Sequence, residues 1–165
     1  MIQRMLGAAT LRSTTFEEVE ADQSATKQAL VIVTLSAVAA TIGDPRTESI
    51  PLGILLGIFG WAVWAWVTYL VGTKLLGTKT TVASWGQLAR TLGFAQSPGV
   101  LKIFGVIPII GPYIFIAASL WQLAAMIIAI RQALDYTSTL RAIGVAIIGF
   151  IPYVLLMSIP FVLLG

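Results

Sequence analysis

Along this chain, apolar residues come in long unbroken runs divided by short polar gaps, without the alternation that marks a half-buried strand. Four runs approach or exceed the roughly 20 residues that an α-helix needs to cross a hydrocarbon core. They cover residues 25–43, 50–71, 113–130 and 142–164. Lipid offers no partner to a free backbone N–H or C=O, so each run is expected to cross as a helix. Lys27, near the start of the first run, is placed to snorkel to the headgroups. Ser119 and Gln122 stand out as polar members of the 113–130 run, and Pro152 and Pro160 interrupt the last.

A further segment, 94–110, is short and irregular, and holds Gln96, Pro98, Gly99, Lys102, Gly105 and Pro108. Either it crosses the membrane or it dips in and returns as a re-entrant hairpin. Charge arbitrates, because cytoplasmic loops carry an excess of Lys and Arg. With five crossings and a cytoplasmic N-terminus, nine of the ten cationic residues lie at the inner side and Arg46 alone lies outside. A re-entrant segment inverts the last two runs, moves Arg131 and Arg141 outward and leaves seven against three. Five crossings with the N-terminus inside and the C-terminus outside are therefore expected.

The polar flanks add short elements. Ile2, Met5, Leu6 and Ala9 recur at helical spacing, so residues 1–10 are expected to lie on the inner membrane surface. Thr14 with Glu17 and Thr15 with Glu18 match the capping-box spacing. Residues 84–92 read as an interfacial helix, with Trp85, Leu88 and Leu92 on its apolar side. The expected fold is all-α: a bundle of five transmembrane helices with a broken third segment. A cytoplasmic amphipathic N-terminal segment covers 1–24, and a single membrane domain covers 25–165.

Composition supports this class, since 58% of residues are hydrophobic and only 10% are charged, against about 25% charged in a soluble domain. The net charge of +3 forms no basic stripe, so nucleic acid is not an expected partner. The chain has no His and no Cys. That removes the usual donors for zinc, haem and iron–sulfur clusters, and any Ser-His-Asp or Cys-His arrangement. Glu17, Glu18, Glu20 and Asp22 cluster, but they lack the spacing and central glycine of a calcium loop and read as a solvated helix face. No catalytic residue, cofactor or metal is expected, and the chain is not expected to be an enzyme.

Five residues are candidates for contact with a partner or lipid. Gly53-x-x-x-Gly57 is a small-x-x-x-small motif that lets helix backbones approach closely. Trp61 and Trp64 share a helix face near mid-membrane, where an aromatic belt does not account for them. They fit internal packing, a protein partner, or a flat apolar ligand such as a quinone, pigment or lipid tail. Lys102 is the most unusual ionisable residue, within the broken segment 94–110. Placed toward the inner side, it reads as a snorkelling side chain that meets lipid phosphate, or as part of a transport path.

The stretch GTKLLGTKTTVASWGQLARTLGFAQSPGVLKIFGVIPIIG, a following span, and then AIRQALDYTSTLRAIGVAIIGFIPY resemble the bacterial branch of the Yip (Ypt/Rab-interacting protein) family. The opening RMLGAATLRSTTFEEVEADQSATKQA is also similar, so the likeness covers nearly the whole chain. It rests on Gly, Pro and aromatic positions, which speak for fold rather than chemistry. It implies five membrane spans with a cytosolic N-terminal region. Eukaryotic relatives bind Rab GTPases, but the Asp-Leu-Tyr-Gly-Pro sequence of those relatives is absent here, so that partner does not carry over. Taken together, the expectation is an inner-membrane scaffold or accessory subunit that binds a protein or lipid partner, as part of a larger complex in the bilayer. The alternative is a small channel or transporter using the broken third segment around Lys102.

Overall fold

The computed structural model describes residues 1–79 and 81–164, the side chains of 160–164 excepted. Its elements are α1 (Ile2–Ala9), α2 (Ser13–Ala21), α3 (Ala25–Gly43) and α4 (Ile50–Leu70), the last running into a π-helical turn, Val71–Leu75. Then come α5 (Trp85–Phe94), a 3₁₀ segment (Ser97–Val106), α6 (Gly111–Ala133) and α7 (Thr139–Leu164). Four helices are long and apolar enough to cross a membrane: Ala25–Gly43, Ile50–Leu75, Gly111–Ala133 and Thr139–Ile159. Their outward faces carry Leu55, Leu120, Ile147 and Leu155, each more than 60% exposed. Water tolerates so continuous an apolar surface poorly, whereas lipid suits it.

Glycines reveal the order of packing. A Cβ on Gly53 or Gly57 would meet Thr41 and Ala37, so α4 returns antiparallel along α3 at close range. A Cβ on Gly60 would meet the Tyr153 hydroxyl and one on Gly149 would meet Val67, so α7 lies antiparallel to α4. The Tyr136 hydroxyl donates to either the Gly72 carbonyl at 2.7 Å or the Leu76 carbonyl at 2.9 Å, tying the α6–α7 turn to the end of α4.

The third segment differs from expectation in kind, being 3₁₀ over Ser97–Val106. The helix expected over 84–92 forms as α5. A capping box between Ser84 and Gln87 opens it. Leu88, Leu92 and Phe94 are fully buried. After Phe94 the chain tightens into 3₁₀ geometry and lies parallel to α3. Gly93 faces Ala29, Gly99 faces Ser36, and Gly105 faces Gly43. From Gly93 beside Ala29 the segment reaches Gly105 beside Gly43, where Gly111 starts α6 against Gly105.

Lys102 is thereby moved. Its carbonyl lies against Gly43 and its ammonium sits 5.3 Å from the Phe115 ring centroid, at the end of the bundle opposite to the one expected. The cationic residues then divide eight to two, with Arg46 and Lys102 at the Gly43 end. Gly165, the end expected outside, is not among the described residues.

In the N-terminal region α1 folds back on α2, with Ile2 and Leu6 exposed. Arg4 holds Glu18 and Asp22 at 2.7 and 2.8 Å, and Gly7 makes room for the Thr15 hydroxyl. The hairpin packs on α5 and α6, with Phe16 and Val19 fully buried. Arg90 donates to the Val19 carbonyl at 3.1 Å and to the Glu20 carbonyl, capping the last turn of α2. Trp121 Nε1 donates to the Ala9 carbonyl at 2.7 Å, and Gln132 donates to Glu17 at 2.7 Å. The proposed Thr–Glu capping boxes do not form, because α2 already starts at Ser13 without a side-chain cap. Burial, followed by repulsion from Asp135, raises the Glu20 carboxyl to about 7. Hydrogen bonds from Ser24 and Arg4 lower Asp22 to about 2.

Candidate functional site

A cavity of about 710 Å³ opens between α4, α6 and α7. Trp61 and Trp64 of α4 form one wall, Gln122 and Met126 of α6 another, and Phe150 and Tyr153 of α7 a third. Gln96, from the joint between α5 and the 3₁₀ segment, also lines it. Gly93 is level with Ala29 and Gly99 with Ser36, so Gln96 lies near the middle of α3 and hence near mid-depth. Gly99 comes so close to Ser36 and Gln122 that no side chain fits between them.

Each tryptophan is held by a different contact. Trp61 Nε1 donates to the Ala89 carbonyl at 3.1 Å, which fixes α4 against α5. Trp64 meets Tyr153 edge to face, with ring centroids 5.2 Å apart at 83°, a favoured aromatic geometry. Gly60 lets the Tyr153 ring lie across α4, and Gly149 leaves space above the Trp64 ring. Trp64 is only 7% exposed, yet its Nε1–H has no hydrogen-bond partner among the described residues. Gln122 Nε2 donates to Gln96 Oε1, while Gln122 Oε1 is buried without a partner among the described residues. A buried amide or indole left unpaired is uncommon and costs about 1–3 kcal/mol.

The five candidate residues thus separate. Gly57, Trp61 and Trp64 line the cavity together. Gly53 does not; it sits on the α3 side of α4 against Thr41, and Gly57 also serves that contact through Ala37. Lys102 is at the Gly43 end, away from the cavity lining. Gln96, Gln122 and Tyr153 are not among the five candidate contact residues. The usable signal was a lone amide in each of two apolar segments, 94–110 and 113–130. Nothing local marks Tyr153, which joins the site only because α7 packs on α4.

A family model described as Yip1 domain matches residues 8–159 of this chain. No curated protein and no solved structure matches it.

Proposed function

The chain belongs to the Yip1-domain family, and from that premise we propose that it is a non-catalytic membrane scaffold or accessory subunit that holds a partner within the bilayer. The observation that carries this reading is the mid-depth cavity, which gathers Gly57, Trp61 and Trp64 on one wall. Large, rigid aromatic side chains beside small residues are the kind of surface on which recognition energy concentrates. The orientation proposed is N-terminus cytoplasmic, in an inner membrane, supported by the eight-to-two division of cationic residues.

A photo-reactive residue in place of Leu123, at the cavity's edge, tests the reading in native membranes. An adduct should form from position 123 and disappear when Ala146→Phe fills the cavity, while an adduct from position 78 is unchanged. Solute flux through the purified chain in vesicles, lost on Lys102→Gln, is the result that would replace the scaffold with a transporter.

A further inference from the structure

The size, charge and unpaired polar atoms of the cavity narrow the partner, taking the cavity as the partner site proposed above. A helix with its side chains is about 10–12 Å across, and a 20 Å length fills on the order of 1,500 Å³. The cavity holds about 710 Å³, too little for a partner helix but well within the roughly 300–1,000 Å³ that encloses a small molecule. Its lining includes no Lys, Arg, Asp or Glu. At mid-depth an ionised headgroup would be stripped of water without a counter-charge, which is strongly unfavourable. Phosphate or carboxylate heads are therefore disfavoured.

A purely apolar chain is not the full complement either. Tyr153 and Gln96 line the space, and the Tyr153 hydroxyl and the Gln96 amide nitrogen make no hydrogen bond among the described residues. Trp64 adds its indole ring to the same wall. These groups suit an uncharged head with a carbonyl or hydroxyl oxygen, and the indole rings suit a flat one. Ile147, at 65% exposed, and Leu123, at 48%, border the opening, so entry is lateral from the lipid.

We infer that the cavity binds a neutral lipid: an apolar tail carrying a small, uncharged, hydrogen-bonding head of the quinone or alcohol type. The tail lies along Leu123, Ile147 and Phe150, and the head meets Tyr153 and Gln96.

The whole chain in phosphatidylcholine nanodiscs, titrated with decylubiquinone, tests this through quenching of tryptophan fluorescence. Wild-type protein should show a saturable component near one probe per chain above the linear background of probe dissolved in lipid. Oleyl alcohol should displace it and oleyl phosphate should not. Tyr153→Phe should weaken binding about tenfold. Ala146→Phe and Ile147→Phe, each checked for unchanged helical content, should abolish the saturable component. Purely linear quenching by wild type, equal displacement by oleyl phosphate, or undiminished binding in both filled variants overturns the inference. If neither neutral probe saturates while Ala146→Phe still removes the position-123 adduct, the neutral lipid is wrong and the partner site stands. If that adduct also persists, both readings fall.

Discussion

Gly43 and Gly105 pinch the end of α3 against the 3₁₀ segment, and adding one methyl group there probes the path of the third segment directly. An ideal Cβ on Gly43 lies 1.8 Å from the Lys102 carbonyl oxygen and 2.7 Å from its carbon, where ordinary contact begins at 3.4 Å. Relief needs a displacement of 3.4 − 1.8, or 1.6 Å. The obstructing atoms are backbone, so no side-chain rotation supplies it. On the other side, a Cβ on Gly105 lies 2.2 Å from the Gly43 carbonyl oxygen. Overpacking of this kind destabilises by about 1–3 kcal/mol. At the middle of that range, Gly43→Ala should lower the unfolding midpoint by about 4–8 °C for a chain of this size. Gly144→Ala is the control, because its Cβ would meet only Leu76 Cδ1 at 3.6 Å. That change should be neutral, or stabilising by up to about 1 kcal/mol from helix propensity. Thermal unfolding of the three proteins in one detergent decides the matter. If Gly43→Ala melts with wild type, the third segment does not lie against the end of α3, and its course along α3 from Ala29 to Gly43 is wrong.

Other predictions follow from the same contacts. Single cysteines at Thr47 and Thr78, introduced into a chain with no cysteine of its own, should react with an impermeant thiol reagent from opposite sides; reaction from one side contradicts the proposed topology. Arg90→Ala removes donors to the Val19 and Glu20 carbonyls and should loosen α2 by about 2–3 kcal/mol, read as faster hydrogen exchange over 13–21. Glu20 has a native pKa of about 7, above its ordinary 4.5, so the folded state binds its proton more tightly than the unfolded state does. Its contribution is full below pH 4.5 and is lost as pH rises through about 7. Midpoints measured at pH 5 and pH 8 should therefore differ less in Glu20→Gln than in wild type. Asp22 has the opposite sign and stays ionised across that window, since its stabilisation is lost only as pH falls through about 2.

The membrane class, the four long spans and the short N-terminal helices were legible in the sequence because hydropathy and charge are local properties. A run such as 113–130 needs no knowledge of its neighbours to be recognised as too apolar for water. The charge count is little altered by the placement of Lys102, because it sums many charges and one move leaves eight against two. Trp61 and Trp64 were legible as a pair, because a spacing of three on a helix places them on one face.

The remainder depended on contacts that no local pattern encodes. Helices α4, α6 and α7 are apolar all round, so periodicity cannot say which side meets lipid and which meets protein. The close approach of Gly57 to Ala37 settles it for the α4 side of the α3 contact, and the Tyr153–Trp64 pair marks the side facing α7. The placement of α5 was hidden because Gln87 and Arg90 find their partners in α2. The third segment gains length from 3₁₀ rise, which a count at 1.5 Å per residue misses and which carries Lys102 to the far end. The sequence by itself thus determined what the chain is made to dissolve in, since that follows from the summed transfer free energy of each segment. Only the tertiary structure decided where Gln96, Gln122, Trp64 and Tyr153 meet, because four separate segments must pack before those side chains share one space.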